Sequence, residues 1–451
     1  MKRGMFSGLI LVVTVGSGAL AQDSIPPSER GVRIGITYAP GTRPGMLMLG
    51  GELEGGLDSA RTILGRDLEY SDQFEMITLP TGDSLTLRVG TTAENGVTEA
   101  FVNYPLYAAL GAAYAVNLYA GPDSGVVITL YDVRGEQQRT EIQVPRLDPT
   151  ERDFRMRIHR AADEVVRIAT GVPGIAATQI LFINAGRIYR IDFDGHSVEA
   201  LSPPGGEAMS PVWAPDARTV VYMEFRDDGR GPLHLLNLET GERRVVAPTA
   251  NSQSQNFAPA FSPDGRTLAF SRANEEGTDI YTYNLADDCC LQRLTVGGFS
   301  DNLSPTYSPD GQRIAYESDR PGLSQIYVMS SDGTGQELFA PFDYGVSGSS
   351  HHPEWSPDGL SVAFDRYVAR TAQIFLMDVG SRVVRQLTSA TRNSDATWAP
   401  DGRHLAFVST RTGSYQVWVI DMETGRVRQL TRLGEARLPA WSPRIPERNN
   451  S

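Results

Sequence analysis

Two cysteines in 451 residues, adjacent at Cys289 and Cys290, are too few for a disulfide framework. With no second Cys or His pair at a suitable spacing, they do not read as a zinc site. A strained ring between neighbours, free thiols without a structural role, and a redox or intermolecular bond all stay open, since Cα atoms about 3.8 Å apart fall below the usual disulfide range. Apolar runs are equally scarce: the one at residues 5–15 is too short for a confident membrane span. Cations are outnumbered, 41 Lys and Arg against 54 Asp and Glu, for a formal charge of −13. That balance argues against nucleic acid and against direct binding to anionic lipid. Catalytic motifs are missing too. Gly345-Val-Ser-Gly348 is not a nucleophile elbow, and Asp192-Phe-Asp-Gly195 lacks the remaining ligands of a calcium loop. His351 and His352 read as a solvated loop rather than a metal site, because adjacent side chains of an extended segment diverge. No catalytic residue, metal or cofactor is expected.

What the chain has in plenty is one phrase. It reads Ser210-Pro-Val-Trp-Ala-Pro-Asp-Ala217, Ala258-Pro-Ala-Phe-Ser-Pro-Asp-Gly265 and Ser304-Pro-Thr-Tyr-Ser-Pro-Asp-Gly311. It returns as His352-Pro-Glu-Trp-Ser-Pro-Asp-Gly359, as Asp395-Ala-Thr-Trp-Ala-Pro-Asp-Gly402, and clipped as Leu438-Pro-Ala-Trp-Ser-Pro443. Successive steps are 48, 46, 48, 43 and 43 residues, the period of a four-stranded propeller blade. Within a unit the phrase is a short strand followed by a Pro-Asp-Gly turn, in which Pro presets φ, Asp bonds its own backbone and Gly tolerates φ > 0. The repeated Asp216, Asp264, Asp310, Asp358 and Asp401 are therefore read as turn residues rather than as acids or ligands. Alternating stretches such as Thr278-Asp-Ile-Tyr-Thr-Tyr-Asn284 supply the third strands. The first unit, near residue 179, lacks the opening strand, and the last is only that strand. A C-terminal strand completing the first blade would close a ring of six.

Upstream, Lys2 and Arg3, the apolar run and Ala19-Leu-Ala21 have the form of an export signal over residues 1–21. Its removal leaves 39 basic against 54 acidic residues. Residues 22–172 have a different texture and read as a small α/β domain. Gly31-Val-Arg-Ile-Gly-Ile36 alternates like an edge strand, residues 60–74 can form a helix that Gly65 interrupts, and residues 106–110 suggest a helical turn. Residues 113–119 and 125–131 read as paired strands. Residues 152–170 form the clearest helix, with Thr150 as N-cap and Gly171 as its stop. The propeller is expected over residues 175–445, with a tail at 446–451.

An exported α/β domain, a helix ending in Thr170-Gly171, and six Ser-Pro-Asp-Gly blades closing on Pro-Ala-Trp-Ser-Pro together resemble the TolB family of the Tol-Pal system. Gly31-Val-Arg-Ile-Gly-Ile36 with Arg43-Pro-Gly45, Asp67-Leu, Phe74, Leu110-Gly-Ala112 and Ala161-Ala-Asp-Glu-Val165 are similar to stretches of that family, so the resemblance covers almost all of the mature chain. The nine residues 22–30 ahead of the Val-Arg-Ile segment and the Cys289-Cys290 pair depart from the family pattern. The resemblance implies a non-enzymatic periplasmic protein that links the C-terminal domain of inner-membrane TolA to the peptidoglycan-associated lipoprotein Pal, for envelope integrity and constriction at division. It implies a monomer held at the envelope through its partners.

The loops entering each inner strand are polar and unlike one another, a variety that suits recognition on a rigid ring. They offer Gln255, Asn256, Ser300, Asp301, Asn302, His351, His352, Arg392, Asn393, Glu435 and Arg437 as the face that the resemblance assigns to Pal. Val32, Arg33, Ile34, Gly35 and Ile36 offer a detachable strand that could add to a sheet edge of TolA. Two other classes stay in view. A hydrolase would carry a long catalytic segment after the ring, which is not expected from the six residues that follow Ile445. A propeller binding a small ligand or glycan in its channel would converge polar residues on the inner strands, where this chain has Val212, Ala260, Thr306, Glu354, Thr397 and Ala440.

Overall fold

The computed structural model describes residues 43–447 except for 50–52, 79–89, 95–96, 146–147, 152, 227–229, 248–253, 276, 297, 299 and 341–347. Its first part is a five-stranded sheet covered by two helices. The strands are β1 (Gly45–Met48), β2 (Glu75–Ile77), then after a hairpin β3 (Gly90–Glu94) and β4 (Val97–Phe101), β5 (Ala112–Ala120), β6 (Val126–Asp132) and β7 (Gln137–Val144). The sheet runs β2-β1-β5-β6-β7. β1 pairs parallel with both neighbours, and β5, β6 and β7 are antiparallel.

Helix α1 (Gly56–Tyr70) buries Ala60, Ile63, Leu64 and Leu68, one face at helical spacing. Gly65 does not interrupt it, because that position faces open space. A short helix α2 (Tyr104–Ala109) is capped by Asn103, whose side chain accepts from the Leu106 N–H. Helix α3 (Phe154–Thr170) buries Phe154, Ile158, Ala161, Ala162 and Val165 and stops at Gly171 in the left-handed region. Thr150 is not its cap: the N-cap is Asp153, and Thr150 bonds Asp148 instead. Sequence patterning missed β1, β2 and β7.

Six four-stranded sheets form the ring. The first holds Gln179–Asn184, Arg187–Asp192 and Glu199–Ala200, and its inner strand is Arg437–Trp441 from the far end of the chain. The closure expected from the clipped sixth phrase is thus present. Trp441 seals it, donating its indole N–H to Thr178 Oγ1 at 2.9 Å. Trp213 and Trp398 likewise donate to backbone carbonyls of the preceding blade, at Ala440 and Glu354. At the second and sixth blades the phrase's aromatic therefore ties blade to blade, while the Trp355 indole N–H has no partner among the described residues.

Its turn behaves as read. Asp264, Asp310 and Asp358 each accept from a backbone N–H two residues on. Its first residue hides a feature the text did not announce. Ser210, Ala258, Ser304, His352, Asp395 and Leu438 all have φ between 46° and 54°, and each sits in a bulge of the inner strand. A bulge there re-aims the side chain that follows and sharpens the twist. Cys289 and Cys290 are bonded to each other at the start of the third blade's outer strand.

Candidate partner-binding face

Each inner strand enters at one end of the ring and leaves into its Pro-Asp-Gly turn at the other, so the ring has an entry face and a turn face. The first domain sits on the turn face, against the sixth and first blades, and one apolar core runs from Leu64 and Ile158 through Phe193 to Val417 and Trp441. Around it lie two buried charge clusters. In one, His159 Nδ1 lies 2.6 Å from Asp67 Oδ2, with Arg155 paired to Asp192 and Asp194. In the other, His404 bridges Asp401 at 2.7 Å and Asp72 at 3.4 Å, while Arg403 holds Asp421 and Arg426 reaches Asp72. Burial pushes both imidazoles down, but the surrounding carboxylates outweigh it and raise each to about 9. Both are therefore cations at neutral pH. Arg428 lies between the rings of Tyr70 and Phe193, 4.4 Å from each centroid. At these two blades the face is covered by the protein itself.

The entry face carries the residues singled out from sequence, and they divide into two kinds. Asn256, Asn302 and Asn393 are fully buried and leave the candidate surface. Asn256 donates to the Ala247 carbonyl and accepts from Arg272. Asn302 donates to Asp279, and Asn393 donates to Gln373 and the Ala390 carbonyl. These amides brace the loops, a role that polarity alone could not separate from recognition. Gln255 and Ser300 are half-buried and Asp301 is exposed, its carboxylate accepting from the Thr278 N–H. His351 is half-buried with Nδ1 2.7 Å from Glu317. Arg392 is half-exposed, and Glu435 and Arg437 are exposed and paired at 2.8 Å. Residues 32–36 lie outside the described residues.

His352 is exposed, as the solvated reading had it, but it lies in a strand rather than a loop. It occupies the bulge of the fifth blade's inner strand, at the channel mouth, with Nδ1 3.3 Å from Asp365 and 3.7 Å from Asp395. Burial lowers its pKa, yet those carboxylates raise it further, to about 9. Ligand atoms of His352, Asp365 and Asp395 lie close enough together to hold a metal ion, as do Asp67, His159 and Asp194, and Asp72, His404 and Asp421. In the latter two sets the histidine and neighbouring arginines balance the carboxylates, whereas in the first a single histidine faces two.

The channel widens from a mouth of about 140 Å³ to a body of about 470 Å³ lined by prolines and by Trp213, Trp355, Trp398 and Trp441. Its one acidic inner-strand position, Glu354, is tied to the next blade, accepting from Thr397 Oγ1 and the Trp398 N–H, and burial pushes it up to about 7. Glu354 is thus committed to the blade interface, and the polar groups that do meet at the channel mouth are His352, Asp365 and Asp395. Among the described residues no helix is long and apolar enough to cross a membrane.

Comparison with known proteins gives one consistent result. Residues 166–341 and 344–446, more than half of the chain, match the model of the TolB beta propeller domain. A Tol-Pal system protein TolB of Alcanivorax borkumensis is 34% identical over 124 residues, 26% of this chain and 28% of that protein. One from Anaeromyxobacter dehalogenans is 35% identical over 170 residues, 37% of each. The chain thus spans about a quarter to two fifths of the length of these curated relatives in the matched stretches. The crystal structure of TolB from Acinetobacter baumannii superposes with a TM-score of 0.73 at 22% identity, covering 91% of this chain and 100% of that one. The last likeness establishes the fold, α/β domain included.

Proposed function

From the premise that the chain belongs to the TolB propeller family, we propose that it is a non-enzymatic periplasmic coupling protein of the Tol-Pal system. In this reading it is exported by residues 1–21 and works as a monomer. Its entry face receives a Pal-like peptidoglycan-associated lipoprotein, and residues 32–36 pair with the C-terminal domain of TolA. The observation that carries the reading is the division of the ring. The first domain covers the turn face at the sixth and first blades, while the opposite face presents irregular loops bearing Asp301, His351, Arg392, Glu435 and Arg437. Support for a detachable strand comes from β1, which begins at Gly45 and is hydrogen-bonded on both sides.

The test is calorimetry with the two soluble partner domains from the same envelope. The full mature chain should bind both. A chain lacking residues 22–38 should keep its melting temperature and its affinity for the lipoprotein while losing TolA. Retained TolA binding would move that site, and absence of lipoprotein binding by the intact chain would overturn the reading.

A further inference from the structure

Across the fifth, sixth and first blades, the entry face carries a continuous row of rings and cations. His351 meets the edge of Tyr367, ring centroids 5.6 Å apart at 82°. Arg392 lies over the other part of the same residue, its guanidinium 5.8 Å from the ring and Nη2 3.3 Å from the phenol oxygen. Arg392 is also within electrostatic reach of Tyr415, and Tyr415 stacks against Arg437 at 3.7 Å. Tyr367, Arg392 and Tyr415 are half-buried and Arg437 is exposed. The row is held in place yet accessible.

His351 pairs with Glu317 and Arg437 with Glu435, which leaves Arg392 as the under-compensated cation of the row. Arg392 feels the Asp395 carboxylate at longer range but makes no salt bridge among the described residues, and its Nε is buried without a hydrogen-bond partner. Next along the chain from Thr410, whose backbone N–H donates to the Arg392 carbonyl, Arg411 stacks on Trp418 at 4.4 Å and on Phe407 at 5.4 Å, and both its terminal nitrogens lack a partner among the described residues. The equivalent arginines of other blades find acceptors: Arg272 on Asn256, Arg320 on Asn302 and Gln336, Arg366 on Ser350. On the turn face Arg155, Arg403 and Arg426 all meet carboxylates. An acidic protein, with 54 carboxylate side chains against 41 cations, has thus left two guanidiniums of one blade without a direct salt bridge among the described residues. Lys2 is the only lysine, so every described cation other than histidine is a planar fork suited to bidentate carboxylates. Arginine and tyrosine are also the side chains that concentrate binding energy at protein interfaces.

We propose that this row is the energetic centre of the entry face and that it takes the carboxylates of an acidic segment on a protein partner. The inference rests on the partner-binding reading above and specifies its chemistry. The row spans three of the six blades, so the partner sits off the ring axis, toward the closure seam. A net charge of −13 repels extended polyanions at long range, whereas a short acidic segment needs to satisfy only the local field.

The test uses the full mature chain, with R392Q, the double variant R392Q/R411Q, and R218Q as a turn-face control. Titrated with the soluble lipoprotein domain, R392Q should weaken binding and the double variant should weaken it by at least about tenfold, with a shallower salt dependence, while R218Q matches wild type. Because Arg411 is packed in the blade, R392Q alone, with its melting temperature measured, decides the matter if the double variant fails to fold. Unchanged affinity and salt dependence in R392Q would overturn the proposal and leave the coupling function standing. Should the lipoprotein not bind wild type, that function fails, and a labelled oligoglutamate peptide becomes the probe. Saturable binding that R392Q abolishes supports the acidic-segment chemistry, and no binding overturns it. Binding instead to phosphatidylglycerol vesicles, lost in R392Q, would overturn it in favour of lipid.

Discussion

The two faces of this ring are built from the same blades and treat charge in opposite ways. On the turn face, carboxylates and cations from distant parts of the chain close on one another under the first domain. Asp67 meets His159, and Asp72 meets His404, Arg403 and Arg426. On the entry face, Arg392 rests on a phenol and Arg411 on an indole, and neither makes a salt bridge among the described residues. A buried ion pair adds little net stability relative to an apolar replacement, but breaking one is costly because the survivor is left charged in a low dielectric. The turn-face clusters therefore fix one interdomain geometry. The entry face keeps its attraction for something that arrives and leaves. The contrast teaches that the function of a repeat fold lies in how its two ends depart from the repeat.

The comparison breaks most completely if the ring itself opens. Deleting residues 438–451 removes the first blade's inner strand and leaves unpaired strand edges at the seam. Loss of the buried Trp441 contacts alone is worth about 3–5 kcal/mol, and the backbone pairing goes with them. The truncated chain should aggregate or melt far below the intact one in a thermal scan. Equal melting would show that the seam is not what closes the ring.

Next in size is the turn face. Asp67→Ala leaves the fully buried His159 without its nearest carboxylate and should cost about 3–5 kcal/mol in denaturant unfolding. The same clusters set a pH dependence. The folded pKa of His159 and of His404 is raised from 6.5 to about 9. Their contribution is fully present below about 6.5 and is lost as pH rises through about 9. Stability of the wild type should fall across that window, and in Asp67→Ala the His159 part of the fall should shrink. A flat profile in the wild type would mean that the imidazoles are neutral and the two faces less different than their geometry indicates.

How much of this could be read beforehand depends on how local each feature is. The blades were legible because phrase, turn and third strand recur within one unit. So was closure, since Leu438-Pro-Ala-Trp-Ser-Pro443 is half a unit needing the other half. Much of the first domain's sheet was not. β1 is four residues beside a Gly/Pro turn, and β7 is polar along most of its length as an exposed edge. The interdomain clusters were illegible for a different reason: residues 67, 72, 159, 194, 404 and 426 meet only after folding. On the entry face, polarity found Arg392 and Arg437 but equally promoted Asn256, Asn302 and Asn393, which are braces. It passed over Tyr367 and Tyr415. Their signal was an aromatic placed just where a strand of a blade meets an entry-face loop.

The smallest effect isolates the turn face from the first domain that covers part of it. The second blade's phrase ends in Ala217, where its siblings have Gly265, Gly311, Gly359 and Gly402. All five have φ between 54° and 73°, a region where a Cβ meets the following carbonyl and glycine does not. Ala217 nevertheless holds the turn, its N–H donating to the Ala214 carbonyl while Asp216 accepts from the Arg218 and Thr219 N–H groups. The backbone is thus strained but fully bonded. Ala217→Gly should relieve about 1 kcal/mol of that strain, offset in part by the entropy that glycine adds to the unfolded chain. The net expectation is a rise of a few tenths to about 1 kcal/mol in unfolding free energy, with partner affinity unchanged. A loss of stability would mean that the Ala217 methyl, which is buried, contributes more by packing than its backbone costs in strain.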